Sequence, residues 1–414
     1  MINYQTFTIA NGLQCIVNTD TTTPFVAMNI LYKVGSKNEN PERTGFAHLF
    51  EHLMFGGSKH IPDFDGALQR VGGENNAFTN TDITNYYITL PKENIETAFW
   101  LESDRMMELD FSQHSLDIQK NVVIEEFKQR YLNRPYGDAH LYLRPLAYKV
   151  HPYQWATIGK NIEHIEQATL DNVRDFFYNH YAPNNAILTL SGNISVEEVM
   201  ALTNKWFAQI PKRDVMYKEI AQEPPQTEKR TQSVEREVPS NALYKAFHIP
   251  NRLHPDYYAA DMLSDVLSNG KSARLYTQLV QAKKLFSEIN AYITGEDHAG
   301  LLIICGNLMP NVSMETAETA IYEELHKLQN TPLSTYELQK ITNKIESHII
   351  FNETGILNKA MNLAKFAQLG NVELINSEII NYQQISAPDL QRVAIEIFRE
   401  TNDSTLYYYS HSKI

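Results

Sequence analysis

Cysteine is scarce in this sequence, and no apolar segment is long enough to cross a membrane. The two cysteines in 414 residues, Cys15 and Cys305, fit a reducing compartment at least as well as a single disulfide between them. The 17 glycines and 17 prolines are too few for a collagen-like or disordered chain. The longest apolar run, residues 299–305, falls well short of the ~20 residues that a transmembrane helix requires. The composition therefore indicates a globular protein without a membrane span.

Positive charge is in deficit as well, since 36 lysines and arginines stand against 49 aspartates and glutamates, for a formal net charge of −13. A protein that binds duplex nucleic acid must neutralise phosphates, so this balance argues against a nucleic-acid partner. It suits a protein that handles basic or extended polypeptide. The first residues lack the basic segment and the apolar core of a signal peptide, so we expect a cytoplasmic protein.

The chain is long enough for two domains, and its predicted elements come in two similar series. In each series the strands come in runs separated by helices. This order favours an α+β fold in which each half is a mainly antiparallel sheet packed with helices. Residues 213–236 are rich in polar residues and proline and have no apolar periodicity, which predicts a linker. We therefore expect an N-terminal domain over 1–212 and a homologous domain without a metal over 237–414, related by an ancient duplication.

A predicted helix over residues 43–55 carries two histidines and a glutamate with the spacing of a metal site. His48 and His52 are four residues apart, so on a helix both imidazoles project from one face and can reach one Zn²⁺ at about 2.0–2.1 Å. Glu51 directly precedes the second histidine, where its carboxylate can approach a water molecule at the metal. The alternative interpretation is that two solvated or core-capping histidines lie on an amphipathic helix.

A catalytic zinc site requires a third protein ligand, and Glu126 is the candidate. On a helical wheel of residues 115–131, Glu126 falls at the edge of the apolar face, whereas Glu125 points to the opposite, solvated side. A carboxylate turned towards the interior is costly unless it is paired or bound to a metal. The alternative for Glu126 is an ordinary ion pair, for instance with an arginine.

Several segments resemble the pitrilysin (inverzincin) family of zinc metallopeptidases. The order His-x-x-Glu-His at residues 48–52 is the inverzincin signature. Further segments fit the family's blocks in the expected order, at 72–86 (GGENNAFTNTDITNY), 119–126, 151–159 and 181–193. The resemblance spans about residues 8–195 and continues more weakly at 272–276. Within the family, the chain is similar to the zinc-bearing subunit of mitochondrial-processing-peptidase-like bacterial enzymes.

This resemblance implies a zinc-dependent endopeptidase that cleaves peptides or unfolded segments. It implies one Zn²⁺ per chain, bound by His48, His52 and Glu126, with Glu51 as the general base. It also implies that the two homologous halves form a clamshell around a chamber.

The resemblance further implies that Asn76, Ala77, Phe78 and Thr79 belong to an edge strand on which the substrate lies. An edge strand offers backbone N–H and C=O groups, so an extended peptide can add to the sheet with little demand on side chains. From the residues alone, a hairpin strand with a packed aromatic side chain is the preferred interpretation of Asn76 and Phe78.

The sequence departs from the family pattern in two places. Gln119 stands where the family often has a second glutamate that supports the site, and an amide there predicts a tuned site and not a lost one. Val280 and Ser287 stand where active members carry an arginine and a tyrosine that contact substrate, and Tyr292 is out of register.

The second departure predicts that full activity needs a partner. The chain looks like the zinc-bearing member of a pair, assembled with a homologous subunit as a heterodimer or with a second copy as a homodimer. The alternative is a catalytically silent scaffold or a peptide-binding subunit of the same fold.

Overall fold

The computed structural model describes residues 1–215 and 219–411, which contain two β-sheets and many helices. The strands are β1 (Gln5–Thr8), β2 (Gln14–Thr19), β3 (Phe25–Tyr32), β4 (Glu74–Thr79), β5 (Thr84–Pro91), β6 (Ala186–Gly192), β7 (Arg230–Arg236), β8 (Ala242–His248), β9 (Phe286–Ile293), β10 (Leu301–Leu308) and β11 (Asp403–Ser410). The α-helices are α1 (Phe46–Leu53), α2 (Phe64–Gln69), α3 (Ile95–Met107), α4 (Gln113–Phe127), α5 (Ala139–Ala147), α6 (Glu163–Glu166), α7 (Leu170–His180), α8 (Val196–Phe207), α9 (Tyr257–Ser268), α10 (Met314–Asn330), α11 (Thr335–Asn352), α12 (Ile356–Gln368), α13 (Leu374–Gln383) and α14 (Ala387–Ile397). Within the described ranges, none of these helices combines the length and the apolar character that crossing a bilayer requires.

The first sheet has the order β1-β2-β6-β3-β5-β4, and the turn at Asn11-Gly12 joins its first two strands as the sequence predicts. Helices cover both of its faces. Leu31 of β3 packs with Leu363 of α12 on one face. The next residue, Tyr32, points to the other face and contacts Tyr181, which packs in turn on Phe50 of α1. The helix that carries the two histidines therefore lies on the face opposite to α12.

The second sheet repeats the topology of the first. Its order, β7-β11-β8-β10-β9, matches β2-β6-β3-β5-β4 strand for strand along the chain. In both series of five strands the first pair is parallel and the other three pairs are antiparallel. The additional strand of the first sheet, β1, pairs antiparallel with β2. The predicted α+β class, with a mainly antiparallel sheet in each half, is confirmed, and the shared strand order supports the predicted duplication.

Contacts divide the chain into two compact units, neither of which is continuous in sequence. The first unit comprises Met1–Phe127, Trp155–Ile220 and Ile349–Ser377, and the second comprises Lys128–Gln154, Ala221–His348 and Glu378–Ile414. The predicted domains, 1–212 and 237–414, are continuous in sequence, and two segments depart from them. Lys128–Gln154, which contains α5, belongs to the second unit, and Ile349–Ser377, which contains α12, belongs to the first. Each of these helices buries its apolar side against the sheet of the other half of the chain: α12 packs on β3 and β6, and α5 on β8 and β11.

The predicted linker, 213–236, contains a strand at its end. Met216, Tyr217 and Lys218 lie outside the described residues. Arg230–Arg236 forms β7, which pairs in parallel with β11 at the edge of the second sheet. The linker prediction is wrong for this strand because an edge strand keeps mostly polar side chains. Val234 is its one buried residue, so no apolar alternation is visible in the sequence.

Candidate metal centre

The helix α1 is short, and apolar packing fixes its orientation. Phe46, Leu49, Phe50 and Leu53 are buried, so His48, Glu51 and His52 lie on its less buried side. The helix starts at Gly45, whose φ of 89° lies in the left-handed region. A Cβ at this position would lie 2.5 Å from the carbonyl oxygen of Ile158, so the backbone can pass here only as glycine.

The helix α4 carries the third candidate ligand in the orientation that the helical wheel predicts. Leu116, Val123 and Phe127 are buried, and Glu125 is exposed. Glu126 lies between these two sides, with 17% of its side chain exposed. α1 packs against α4, so the buried edge of α4 faces the helix that carries the histidines.

The structure brings His48, His52 and Glu126 together. Glu126 Oε2 lies 3.6 Å from His48 Nε2 and 3.3 Å from His52 Nε2. The two imidazole rings meet edge to face with their centroids 4.8 Å apart. One nitrogen or oxygen atom from each of the three residues lies within 4.8 Å of the other two. Among the residues that the structure describes, this is the only group of three or more His, Cys, Asp or Glu side chains close enough to hold one metal ion.

Glu51 lies one turn after His48 on the same helix, above three buried tyrosines. These residues, Tyr32, Tyr86 and Tyr181, are here called the tyrosine cluster. The hydroxyl oxygens of Tyr86 and Tyr181 are 3.2 Å apart, and the rings of Tyr32 and Tyr181 are 4.5 Å apart. Burial raises the pKa of Tyr86 and of Tyr181, and the negative charge of Glu51 adds to the rise in both. The carboxylate of Glu51 therefore lies within electrostatic reach of two hydroxyl groups that water does not reach.

The predicted substrate strand is β4, and it stands at the edge of the first sheet beside β5. It also contacts α1. Asn76 is exposed and Phe78 is 39% exposed, so the interpretation of Phe78 as a packed aromatic is wrong. Ala77 and Thr79 alternate with them and are half-buried. The Ala77 N–H donates to the side-chain oxygen of Asn76 at 2.8 Å.

The remaining predicted positions lie in two other places. Gln119 is half-buried on α4, two turns before Glu126. Val280 is half-buried in the π-helix Tyr276–Ala282. Ser287 is exposed on β9 and donates to the carbonyl oxygen of Asn307 at 3.2 Å. Tyr292, on the same strand, is 37% exposed, and its hydroxyl lies 3.2 Å from His140 Nε2.

Comparisons with known proteins place this arrangement in a family. Residues 15–145 match the family model "Insulinase (Peptidase family M16)", and residues 167–345 match "Peptidase M16 inactive domain". Zinc protease PqqE of Helicobacter pylori is 30% identical over 411 residues, which are 98% of this chain and 92% of that protein. The chain belongs to peptidase family M16. This confirms the resemblance inferred from the sequence motifs.

Two further relatives extend the M16 comparison over the whole fold. The uncharacterized zinc protease YmxG of Bacillus subtilis is 27% identical over 402 residues, 95% of each chain. The crystal structure of a protease from Helicobacter pylori matches with a TM-score of 0.92 at 30% identity, covering 99% of this chain and all of that one. The M16 match to residues 15–145 contains all three residues of the candidate metal centre. The match to the inactive domain contains Val280 and Ser287.

The distances from Glu126 to the two histidines fit the spacing of ligands around a tetrahedral zinc ion. Zinc–ligand bonds of about 2.0–2.1 Å at tetrahedral angles place neighbouring ligand atoms about 3.3–3.4 Å apart. The observed distances from Glu126 Oε2 to the two imidazole nitrogens, 3.3 and 3.6 Å, lie close to this separation. Two imidazoles and one carboxylate are also the ligand set of several catalytic zinc sites, in which the fourth position stays open for water.

Proposed function

We propose that this M16 chain is a zinc-dependent endopeptidase in which His48, His52 and Glu126 bind one Zn²⁺ and Glu51 is the general base. The observation that carries this proposal is the convergence of the three side chains from two helices at the spacing of tetrahedral ligands. The zinc proteases among its relatives support the choice of metal.

The chemistry divides between the metal and one side chain. A bound zinc ion would supply an acidified water molecule and a polarised peptide carbonyl. Glu51 would accept a proton from the attacking water and give it to the departing amine, a role typically worth ~10²–10⁴-fold in rate. The charge of Glu51 also acts on the buried hydroxyl groups of Tyr86 and Tyr181, whose pKa values it helps to raise.

The substrate is an extended peptide segment that adds to β4. Among the described strands β4 pairs only with β5, so its other edge can accept a further strand once the Ala77 N–H is released from the Asn76 side chain. Main-chain pairing depends on the conformation of the substrate more than on its sequence. The exposed ring of Phe78 offers one apolar contact to a substrate side chain.

Exchange of Glu51 for glutamine tests the proposal. In E51Q the side chain keeps its size but can no longer act as a base. The variant should therefore bind zinc like the wild type, and its turnover of an unstructured peptide should fall by about 10²–10⁴-fold. Zinc content by elemental analysis and peptide cleavage with and without a chelator would be measured together. Retained turnover in E51Q, or a wild-type chain that binds no zinc, would contradict the proposal.

A second candidate function, a silent or peptide-binding subunit, is favoured by one observation. Val280 and Ser287 stand where active members of the family carry the arginine and tyrosine that contact substrate, and both residues lie within the match to the inactive domain.

If the chain is active, we propose that a homologous partner, or a second copy of the chain, supplies those contacts. A high peptidase rate for the purified chain as a monomer would exclude the need for a partner, whereas zinc binding without any cleavage in the reconstituted complex would favour the silent subunit.

A further inference from the structure

The helix α1 has no side-chain cap of its own. Its first turn starts at Gly45, which has no side chain to accept the free N–H groups there. Helices of this length are marginal, because two turns gain little from their internal hydrogen bonds. Yet α1 carries two of the three candidate ligands and the proposed general base. Its N-terminus must therefore be held by some other part of the chain.

The carboxylate of Glu39 performs this task from a loop six residues upstream. Its Oε2 accepts from the Gly45 N–H at 2.9 Å, and its Oε1 accepts from the Ala47 N–H at 2.8 Å. The indole N–H of Trp155 also donates to Oε2 at 3.1 Å, and the same N–H is shared with the carbonyl oxygen of Ser36 at 3.0 Å. Both carboxylate oxygens are thus engaged, and the side chain is aimed along the axis of the helix.

The carboxylate is buried, which makes its contacts expensive to replace. Glu39 is 6% exposed. Burial raises the pKa of Glu39 to about 8, against the effect of the N–H donors from Ala47, Gly45 and Trp155, which lower it. A buried acid is costly to place, and two of its three donors are the Gly45 and Ala47 N–H groups at the start of α1.

The position of this contact matters for the metal centre. Ala47, whose N–H is held, directly precedes His48. Zinc–ligand bond lengths vary by only about 0.2 Å, so the affinity of the site depends on how firmly both histidines are held against Glu126. A rotation or fraying of the first turn of α1 would displace His48 more than His52, since His52 lies a turn deeper in the helix.

We propose that Glu39 is a positioning residue of the metal centre, which fixes the first turn of α1 and with it the placing of His48 against Glu126. This inference rests on the proposed function, because it concerns the zinc affinity of that same site. Groups that orient metal ligands without touching the metal commonly change the affinity by about 10- to 100-fold when they are removed.

Zinc affinity, measured by competition with a chromogenic chelator, tests the proposal without reference to activity. We expect E39A and E39Q to weaken zinc binding by about 10- to 100-fold. E39Q should lose nearly as much zinc affinity as E39A, because its amide N–H₂ group would face a backbone N–H donor where the second carboxylate oxygen now accepts. The matched control is D63A, which removes the carboxylate cap of the next helix, α2, where Asp63 accepts from the Gly66 N–H at 2.8 Å. D63A should bind zinc like the wild type.

Kinetics and chemical rescue separate positioning from a general loss of stability. At saturating zinc, the E39 variants should recover turnover with an unchanged KM, because β4 is untouched. A cavity of about 130 Å³ lined in part by Glu39 and Phe46 gives formate access to this place, so formate should restore part of the zinc affinity of E39A and none in D63A. E39A and E39Q with wild-type zinc affinity would overturn the inference alone. A wild-type chain that binds no zinc would overturn the proposed function with it.

Discussion

Removal of the charge of Glu102 should destabilise the first unit, which contains the candidate site. Glu102 and Arg105 form an ion pair on α3 whose side chains are 1% and 2% exposed. Arg105 Nε donates to Glu102 Oε2 at 2.7 Å, and the guanidinium lies 4.5 Å from the ring centre of Tyr86 and 4.6 Å from that of Phe64. Tyr86 belongs to the tyrosine cluster, so this buried cation ties α3 to the layer beneath Glu51.

The size of the effect follows from the burial of both charges. Removing one partner of a buried pair leaves the other charge uncompensated and typically costs about 3–5 kcal/mol. We therefore expect E102Q to destabilise the first unit by about this amount. The double variant E102L/R105M replaces both charges by apolar groups of similar size, so it should cost much less or even stabilise the unit.

Amide hydrogen exchange of α3 and β5 measures this locally, which suits a chain with two units that need not unfold together. A loss of 3–5 kcal/mol corresponds to an increase of roughly 10²- to 10⁴-fold in the exchange of the slowest amides of E102Q. The control is E108Q, which breaks the exposed pair of Glu108 with Lys59 and should leave exchange nearly unchanged. If E102Q exchanged like the wild type, or if the double variant were as unstable as E102Q, the reasoning from uncompensated buried charge would be refuted.

Two further predictions concern the metal centre and the attachment of α12. E126Q should weaken zinc binding about 100-fold or more. E125Q, one residue earlier on the exposed side of α4, is the control and should not change the zinc affinity. Equal losses of affinity for the two variants in a chelator competition would contradict the assignment of Glu126. Lys359 of α12 lies 2.7 Å from Asp20 and, together with Thr22, lowers the pKa of Asp20 to about 2, from an ordinary value of 3.8. The ionised pair therefore stabilises the fold above about pH 4, and this stabilisation is lost as the pH falls through 2. D20N should lower the free energy of unfolding in urea by about 1–2 kcal/mol at pH 7 and by progressively less towards pH 2. A difference from the wild type that stays constant with pH would contradict this linkage.

The candidate site was accessible from the sequence because its information is local. The spacing of His48 and His52 needs only the helical repeat, and the choice of Glu126 over Glu125 needs only the apolar face of one helix. Both inferences concern which side of a helix a residue occupies, and burial in the structure agrees with them. Their meeting around one point depends on the packing of α1 on α4, which the sequence indicates only through the family resemblance.

The parts that the sequence did not predict depend on contacts distant along the chain. Neither α12 nor its place on the first sheet was predicted from the sequence, although Ala360, Leu363, Ala364 and Ala367 form an apolar stripe along it. The strand β7 carries no apolar alternation because it is an edge. Glu39 gave no signal either, since it lies outside the helix that it caps and fits none of the local capping patterns.

The repeated topology explains how one half can carry the chemistry while the other diverges. Each sheet has its own core, so neither unit depends on a metal for its apolar packing. The second unit instead buries Lys245 between Asp403 and Glu318, with Nζ–O distances of 2.6 and 2.8 Å, on the strand that corresponds to β3 of the first sheet. Because the candidate ligands lie on the helices α1 and α4, a sheet held by its own packing and by such networks keeps its architecture without them.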